Sequence, residues 1–334
     1  MGIATERLST RLGSVVGGLL NSTLSNAPEL IIGIVALRNG LGRVVKASLT
    51  GSIMVNLLVG LGCALVVGGL KYGVHSFDRR QLRSSGLMLV MCGFCFIVPA
   101  VFRIGTPQGT RDLSLELSFI LLAIYVGNVM INIFDGRRTM QDATMQTGDK
   151  KESYTAGRSL AVLGLSGIAL AGVSEAVTLS LIPATRTLGF SDTFSGIVLL
   201  GGVGGIGEVL TAIRFARQGK QELVMAATVG STIQMVLFVA PLLVFTGLVV
   251  GESMDLSFSM FEVVSIVLAI IIAREIINAG KATWIEGLML LATYFILAIG
   301  FYHLPDAVVE RDRSAAEGDL MPTVQPDGQN VQGG

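Results

Sequence analysis

The sequence predicts an all-α polytopic membrane protein, built from two inverted-topology repeats with broken helices at the bilayer midplane. Three observations lead there. Of 334 residues, 51% are hydrophobic and only 14% charged, and the mean hydropathy is +0.69, far more apolar than a soluble domain of this size requires. Apolar runs close to the roughly 20 residues that cross a bilayer recur along the whole chain. The chain also matches itself when slid by 179 residues.

Taken in order, the runs fall near 12–37, 44–69, 86–103, 114–134, 158–183, 191–216, 222–248, 256–274 and 282–303, which makes nine visible spans. The first and sixth carry interruptions, Ser25-Asn26-Ala27-Pro28-Glu29 and Gly201-Gly202-Val203-Gly204-Gly205-Ile206-Gly207-Glu208. Interrupted helices at corresponding places in two halves point to a transporter binding site. At the offset of 179, Glu29 falls on Glu208, Arg38 on Arg217, Gly40 on Gly219, Gly51 on Gly230 and Ser52 on Ser231, among nine identities in 33 ungapped positions. Composition alone does not produce such a match, so the chain is read as an internal duplication.

Charge placement orients the spans. The side holding 1–11, 70–85, 135–158, 214–221 and 274–281 carries 16 of the 24 Lys and Arg residues, and the opposite side carries 8. The richer side is expected to be cytoplasmic. The loop after span one then faces out and the loop after its mate, span six, faces in, so the halves are inverted. The domain reading is a first repeat over 1–134, a polar cytoplasmic linker over 135–157, a second repeat over 158–305 and a disordered tail over 306–334. Span 158–183 precedes the second motif, but its mate would fall before residue 1, so the leading helix of repeat one is expected to be missing from this chain.

The chemistry follows from two carboxylates in apolar sequence. An ionised group at membrane depth costs about 2.5–3.5 kcal/mol on insertion scales, so it is expected to have a partner, and a cation is the natural one. Two carboxylates with hydroxyl, amide and carbonyl oxygens suit a hard divalent ion such as calcium. The expected ion ligands are Glu29, Glu208, Asn26, Ser52, Thr50, Ser231 and Gln234. Thr232 belongs to the same set, Asn56 stands at its margin, and Asn21 and Ser22 line the approach. Glu175, inside the fifth span, is a possible further proton or ion group, with a helix-packing hydrogen bond as its plainer role. A cation and a proton neutralise the same carboxylate oxygens, so they compete, and that competition is antiport.

Other features carry less. Cys92 and Cys95 form a C-x-x-C inside an apolar run without a second pair, which reads as packing rather than metal binding. His75 and His303, in a loop and at a span end, read as interfacial residues. Gly202-Val203-Gly204-Gly205-Ile206-Gly207 fits a dinucleotide fingerprint formally, but it lies within a membrane span and not in a strand–turn–helix unit. Net charge is zero, which gives no footprint for nucleic acid. An intramembrane enzyme is disfavoured, because no span pairs a nucleophile with a base.

At these motifs the chain resembles the calcium/cation antiporter superfamily, and within it the calcium/proton exchangers. The resemblance rests on residues 17–32, on Val44-Val-Lys-Ala-Ser-Leu-Thr-Gly-Ser-Ile53 and on Gly230-Ser-Thr-Ile-Gln-Met-Val-Leu-Phe-Val-Ala-Pro-Leu-Leu-Val244, and it continues into Phe261-Glu-Val-Val264 and Trp284-Ile-Glu-Gly-Leu288. It implies two inverted five-helix repeats, calcium and protons as substrates, no cofactor, and the paired-carboxylate role for Glu29 and Glu208. Two departures stand out: Gly205 replaces the family's usual Asn in the second motif, and Val209 its usual His. The expected function is exchange of cytoplasmic calcium for protons in a membrane, with the bacterial cytoplasmic membrane expected from the short loops. The alternatives are exchange of sodium, potassium or manganese, or a non-transporting scaffold or sensor with a degenerate second motif.

Overall fold

The computed structural model describes residues 26–77, 79–102, 107–143, 189–252 and 254–305, with isolated positions between 165 and 187. Helix α1, Ala27–Arg38, follows Asn26 and carries Pro28 and Glu29 in its first turn. Pro is pre-set for a helix start, and a carboxylate favours the exposed N–H end. Helix α2, Gly42–Tyr72, runs 31 residues and contains a π-helical segment, Val55–Gly60. Helices α3, Arg79–Val101, and α4, Pro107–Ala143, complete the first half. Helix α4 therefore continues nine residues beyond the expected boundary at 134.

In the second half, α5 spans Asp192–Arg217 and α6 spans Gln221–Val250. Helix α5 contains π-helical Ser195–Leu200, and α6 contains two such segments, Ala226–Gly230 and Met235–Val239. Helices α7, Met260–Ala279, and α8, Trp284–Tyr302, each begin with a reciprocal capping box, Ser259 with Glu262 and Thr283 with Glu286, which satisfies helix-end donors that lipid cannot. Two short strands, β1 (His75–Ser76) and β2 (Lys281–Ala282), pair antiparallel.

The chain is an all-α polytopic membrane protein. Among the described residues six helices are long and apolar enough to span a bilayer, namely α2, α5, α6, α8, Leu82–Val101 of α3 and Gln108–Ile131 of α4. Their outer faces show Phe119, Ile120, Phe295 and Ile296, as contact with lipid requires. Helix α2 is the hub, with α1, α5, α7 and α8 packed on it, and its Ile53, Met54, Leu57, Leu58, Leu61 and Leu65 are buried almost completely.

Corresponding features recur at a constant spacing. Helix α1 ends at Arg38 and α5 at Arg217, α2 begins at Gly42 and α6 at Gln221. Gly40 and Gly219 both turn the chain at positive φ, 70° and 71°.

One expectation needs correction. The glycine run 201–208 does not break its helix, because Gly201–Arg217 is continuous α-helix and the irregularity is the π-helical segment just before it. Three of these glycines, Gly201, Gly204 and Gly205, serve close packing instead. A Cβ on Gly201 would lie 2.6 Å from the Gly51 Cα, and one on Gly51 would lie 2.0 Å from the Ile197 carbonyl oxygen. Helices α2 and α5 thus touch backbone to backbone, as small residues permit in membranes. Residues before Asn26, including Asn21 and Ser22, lie outside the described residues. So do most of span 158–183 with Glu175, the rest of the linker and the tail.

Candidate ion-binding site

The expected ligands lie on four helices, and Glu29 and Ser52 meet at the glycine face of the helix that carries Glu208. Glu29, in the first turn of α1, is 6% exposed, and both carboxylate oxygens are buried without a hydrogen-bond donor. Beside it α5 arrives glycine-first: the position a Cβ would take on Gly204 is 3.2 Å from Ser52 Oγ and 3.8 Å from Glu29 Cγ. A side chain at 204 would keep α5 away from both groups. Glu208, one turn further along α5, is half-buried.

Helix α6 closes the site. Asn26 Nδ2 donates to Gln234 Oε1 at 2.6 Å, joining residues 208 positions apart. Thr50 and Thr232 are fully buried and donate to carbonyls of their own helices, Lys46 O at 3.1 Å and Thr228 O at 3.0 Å. Their hydroxyl protons are thereby directed away, and oxygen lone pairs remain as acceptors. Ser52 and Ser231 are buried as well. A cavity of about 10 Å³, lined in part by Glu29, Ser48, Ser52 and Leu200, adjoins the carboxylate, which is about the room one water molecule needs.

Asn56, expected at the margin of the ligand set, is 0% exposed, neither amide atom has a hydrogen-bond partner, and its Oδ1 lies 3.5 Å from the position of a Cβ on Gly205. The signal was present in the sequence, because Asn56 follows Ser52 by one helical turn and so shares its face. Also absent from the sequence reading is Lys46, whose buried ammonium donates to Asp255 Oδ1 at 2.6 Å and to the Ser257 carbonyl at 3.0 Å. That ion pair ties α2 to the segment between α6 and α7. His75, just beyond the end of α2, is also buried, at 2% exposure.

Among the described residues no three His, Cys, Asp or Glu side chains converge on one point. A hard cation held here would complete its six to eight oxygens from amides, hydroxyls and backbone carbonyls around two carboxylates. Such a site also suits protons, because a buried carboxylate without a fixed donor, as Glu29 is, is neutralised either by a cation or by a proton.

Comparison with known proteins agrees with this geometry. Residues 3–134 and 158–302 match the sodium/calcium exchanger protein family. The chain is 37% identical over 308 residues to the Ca2+/H+ antiporter ChaA of Bacillus subtilis, covering 91% of this chain and 88% of that protein. It is 35% identical over 323 residues to a Ca2+/H+ antiporter of Aphanothece halophytica, covering 91% and 86%. The solved structure of native YfkE superposes with a TM-score of 0.77 at 35% identity, over 91% of this chain and 87% of that one. The chain therefore belongs to the sodium/calcium exchanger protein family, and within the calcium/cation antiporter superfamily to the calcium/proton exchangers.

Proposed function

We propose that the chain is a secondary active antiporter that exports cytoplasmic calcium in exchange for protons, and that it works in a bacterial cytoplasmic membrane. The observation that carries this reading is Glu29, a buried carboxylate with no fixed donor on either oxygen, set against Ser52 and the glycine face of the helix that bears Glu208. A structural carboxylate in lipid is bonded to something, whereas a transport carboxylate needs its oxygens available to a cargo. The reading agrees with the names of the two bacterial relatives, both Ca2+/H+ antiporters.

Alternating access follows from symmetry in this account. The halves 1–134 and 158–305 are inverted repeats that contribute nine spans, joined by the linker 135–157 and followed by the tail 306–334. The constant spacing of helix ends and of Gly40 and Gly219 supports the duplication, and the excess of Lys and Arg on one side supports the orientation. The ligands are Glu29, Glu208, Asn26, Thr50, Ser52, Ser231 and Gln234, with Asn56 added. Calcium occupies the pair when the site faces the cytoplasm, and protons replace it when the site faces out.

Calcium uptake into inside-out vesicles under an imposed pH gradient tests the proposal. Uptake is expected for the wild type and is expected to vanish for Glu29→Gln and Glu208→Gln. Uptake unaffected by either substitution, or uptake of manganese, sodium or potassium in place of calcium, would reject it.

A further inference from the structure

The internal duplication makes the same contact twice with different chemistry. At the offset of 179, Asn26 corresponds to Gly205, and Val55 corresponds closely to Gln234. Asn26 and Gln234 meet through an amide hydrogen bond of 2.6 Å. Their mates meet too: a Cβ on Gly205 would lie 2.8 Å from Val55 Cγ1 and 3.4 Å from Val55 Cβ. One crossing is a polar pair, and its mirror image is a glycine fitted against a valine.

The fit is matched in size. Val55 is 3% exposed and begins the π-helical segment Val55–Gly60. Its β-branched side chain has little rotamer freedom in a helix, so it has no easy way to yield to a larger neighbour. Gly205 is buried, and the remaining group beside it is Asn56 Oδ1, 3.5 Å from the same Cβ position. The Val55 methyl thus stands where the second half would otherwise place an amide.

We infer that Val55 limits the oxygen supply of the exchanger site indirectly: packed on Gly205, it closes the amide position of the second half, so that the cation is held by one cross-repeat amide pair instead of two. This rests on the exchanger reading above. Its consequence is a site poorer in oxygens on the Glu208 side. For an ion that takes six to eight oxygen ligands, each oxygen withheld is replaced by water or lost. Val55 then acts on affinity more than on turnover.

A double-mutant cycle tests this in the full chain reconstituted into liposomes, with calcium binding by calorimetry beside the transport KM and kcat. Gly205→Asn alone is expected to weaken calcium binding at least tenfold, because the new side chain meets Val55. Val55→Ala alone is expected to stay within threefold of the wild type. The double variant is expected to recover and to bind at least threefold more tightly than the wild type, with KM lowered and kcat within threefold. A double variant as weak as Gly205→Asn, or a harmless Gly205→Asn, would overturn the inference while leaving the exchanger reading intact. Absence of calcium binding by the wild type would overturn both.

Discussion

The two halves of the site use one architecture and differ in polarity. In the first half, Glu29 is buried to 6% exposure and is accompanied by Asn26, Thr50 and Asn56. At the matching positions the second half has Gly205, Val229 and Met235 around a half-buried Glu208. The second half recovers donors at other positions, Thr232 and Gln234, where the first half has Ile53 and Val55. On the duplication reading, helix ends, turns and carboxylates were kept while the surrounding oxygens drifted independently, and a cation between the proposed halves would meet unlike walls. That is possible because the backbone placement of the carboxylates, set by packing of α1 and α5 on α2, does not depend on which neighbours carry oxygen.

The largest expected break in this comparison involves Lys46, whose mate is the buried Met225. The first half carries a buried cation there, and Asp255 of the second half neutralises it at 2.6 Å. Asp255→Ala leaves the ammonium unpaired, and a loss of about 3–5 kcal/mol is expected, to be read as thermal unfolding in detergent. Lys46→Met, which makes the halves alike, is expected to cost much less. Equal losses for the two substitutions would count against this asymmetry.

Next in size is Asn26→Ala. It removes the amide donor to half-buried Gln234, at a cost of about 0.5–1.5 kcal/mol. Since 1.4 kcal/mol is a factor of ten, calcium KM is expected to rise by up to roughly tenfold, whereas Val55→Ala, at the mirror contact, is expected to change it little.

A third test concerns the end of the molecule expected to be cytoplasmic. The His75 ring packs on Gly68, where a Cβ would come within 2.3 Å of Cε1, and its strand pairs with Lys281–Ala282. Burial lowers the His75 pKa, and the Gln221 amide and Leu65 carbonyl near it offset this only in part. A buried neutral histidine takes up its proton more readily once the strand opens. Its contribution is therefore present above the ordinary histidine value of about 6.5 and is lost as pH falls through it. Hydrogen exchange at the Phe77 amide, which donates to the Gly280 carbonyl at 2.9 Å, is expected to lose protection between pH 7.5 and 5.5 after correction for intrinsic rates. His75→Gln is expected to abolish that dependence.

The smallest effect is expected where the halves agree. Gly40 and Gly219 share a left-handed backbone, which any side chain strains. Gly40→Ala and Gly219→Ala are each expected to cost about 1 kcal/mol, by equal amounts, in the same unfolding assay.

Much of this was readable in the residues, for local reasons. Apolar length located the six spans seen among the described residues, and the 179-residue repeat singled out Glu29 and Glu208 before any geometry. The family was evident from the motif residues around them. What was not readable depends on contacts between distant segments. Lys46 with Asp255 and Asn26 with Gln234 join residues more than 200 positions apart, and nothing in local spacing pairs them. The glycine run 201–208 was misread for a related reason. Glycine signals both a broken helix and a close helix crossing, and only the presence of Gly51 opposite Gly201 decides between them. The burial of His75 was not readable from its short polar loop, because it comes from Gly68 and Leu65 of α2, from Gln221 at the start of α6 and from β2.

The central claim is that Glu29 and Glu208 form one site shared by calcium and protons. The most direct test is to add calcium to the purified, weakly buffered protein and record proton release. The wild type is expected to release protons as calcium saturates, and Glu29→Gln is expected to release few or none with calcium binding strongly weakened. Calcium binding without proton release by the wild type, or undiminished release by Glu29→Gln, would contradict the account.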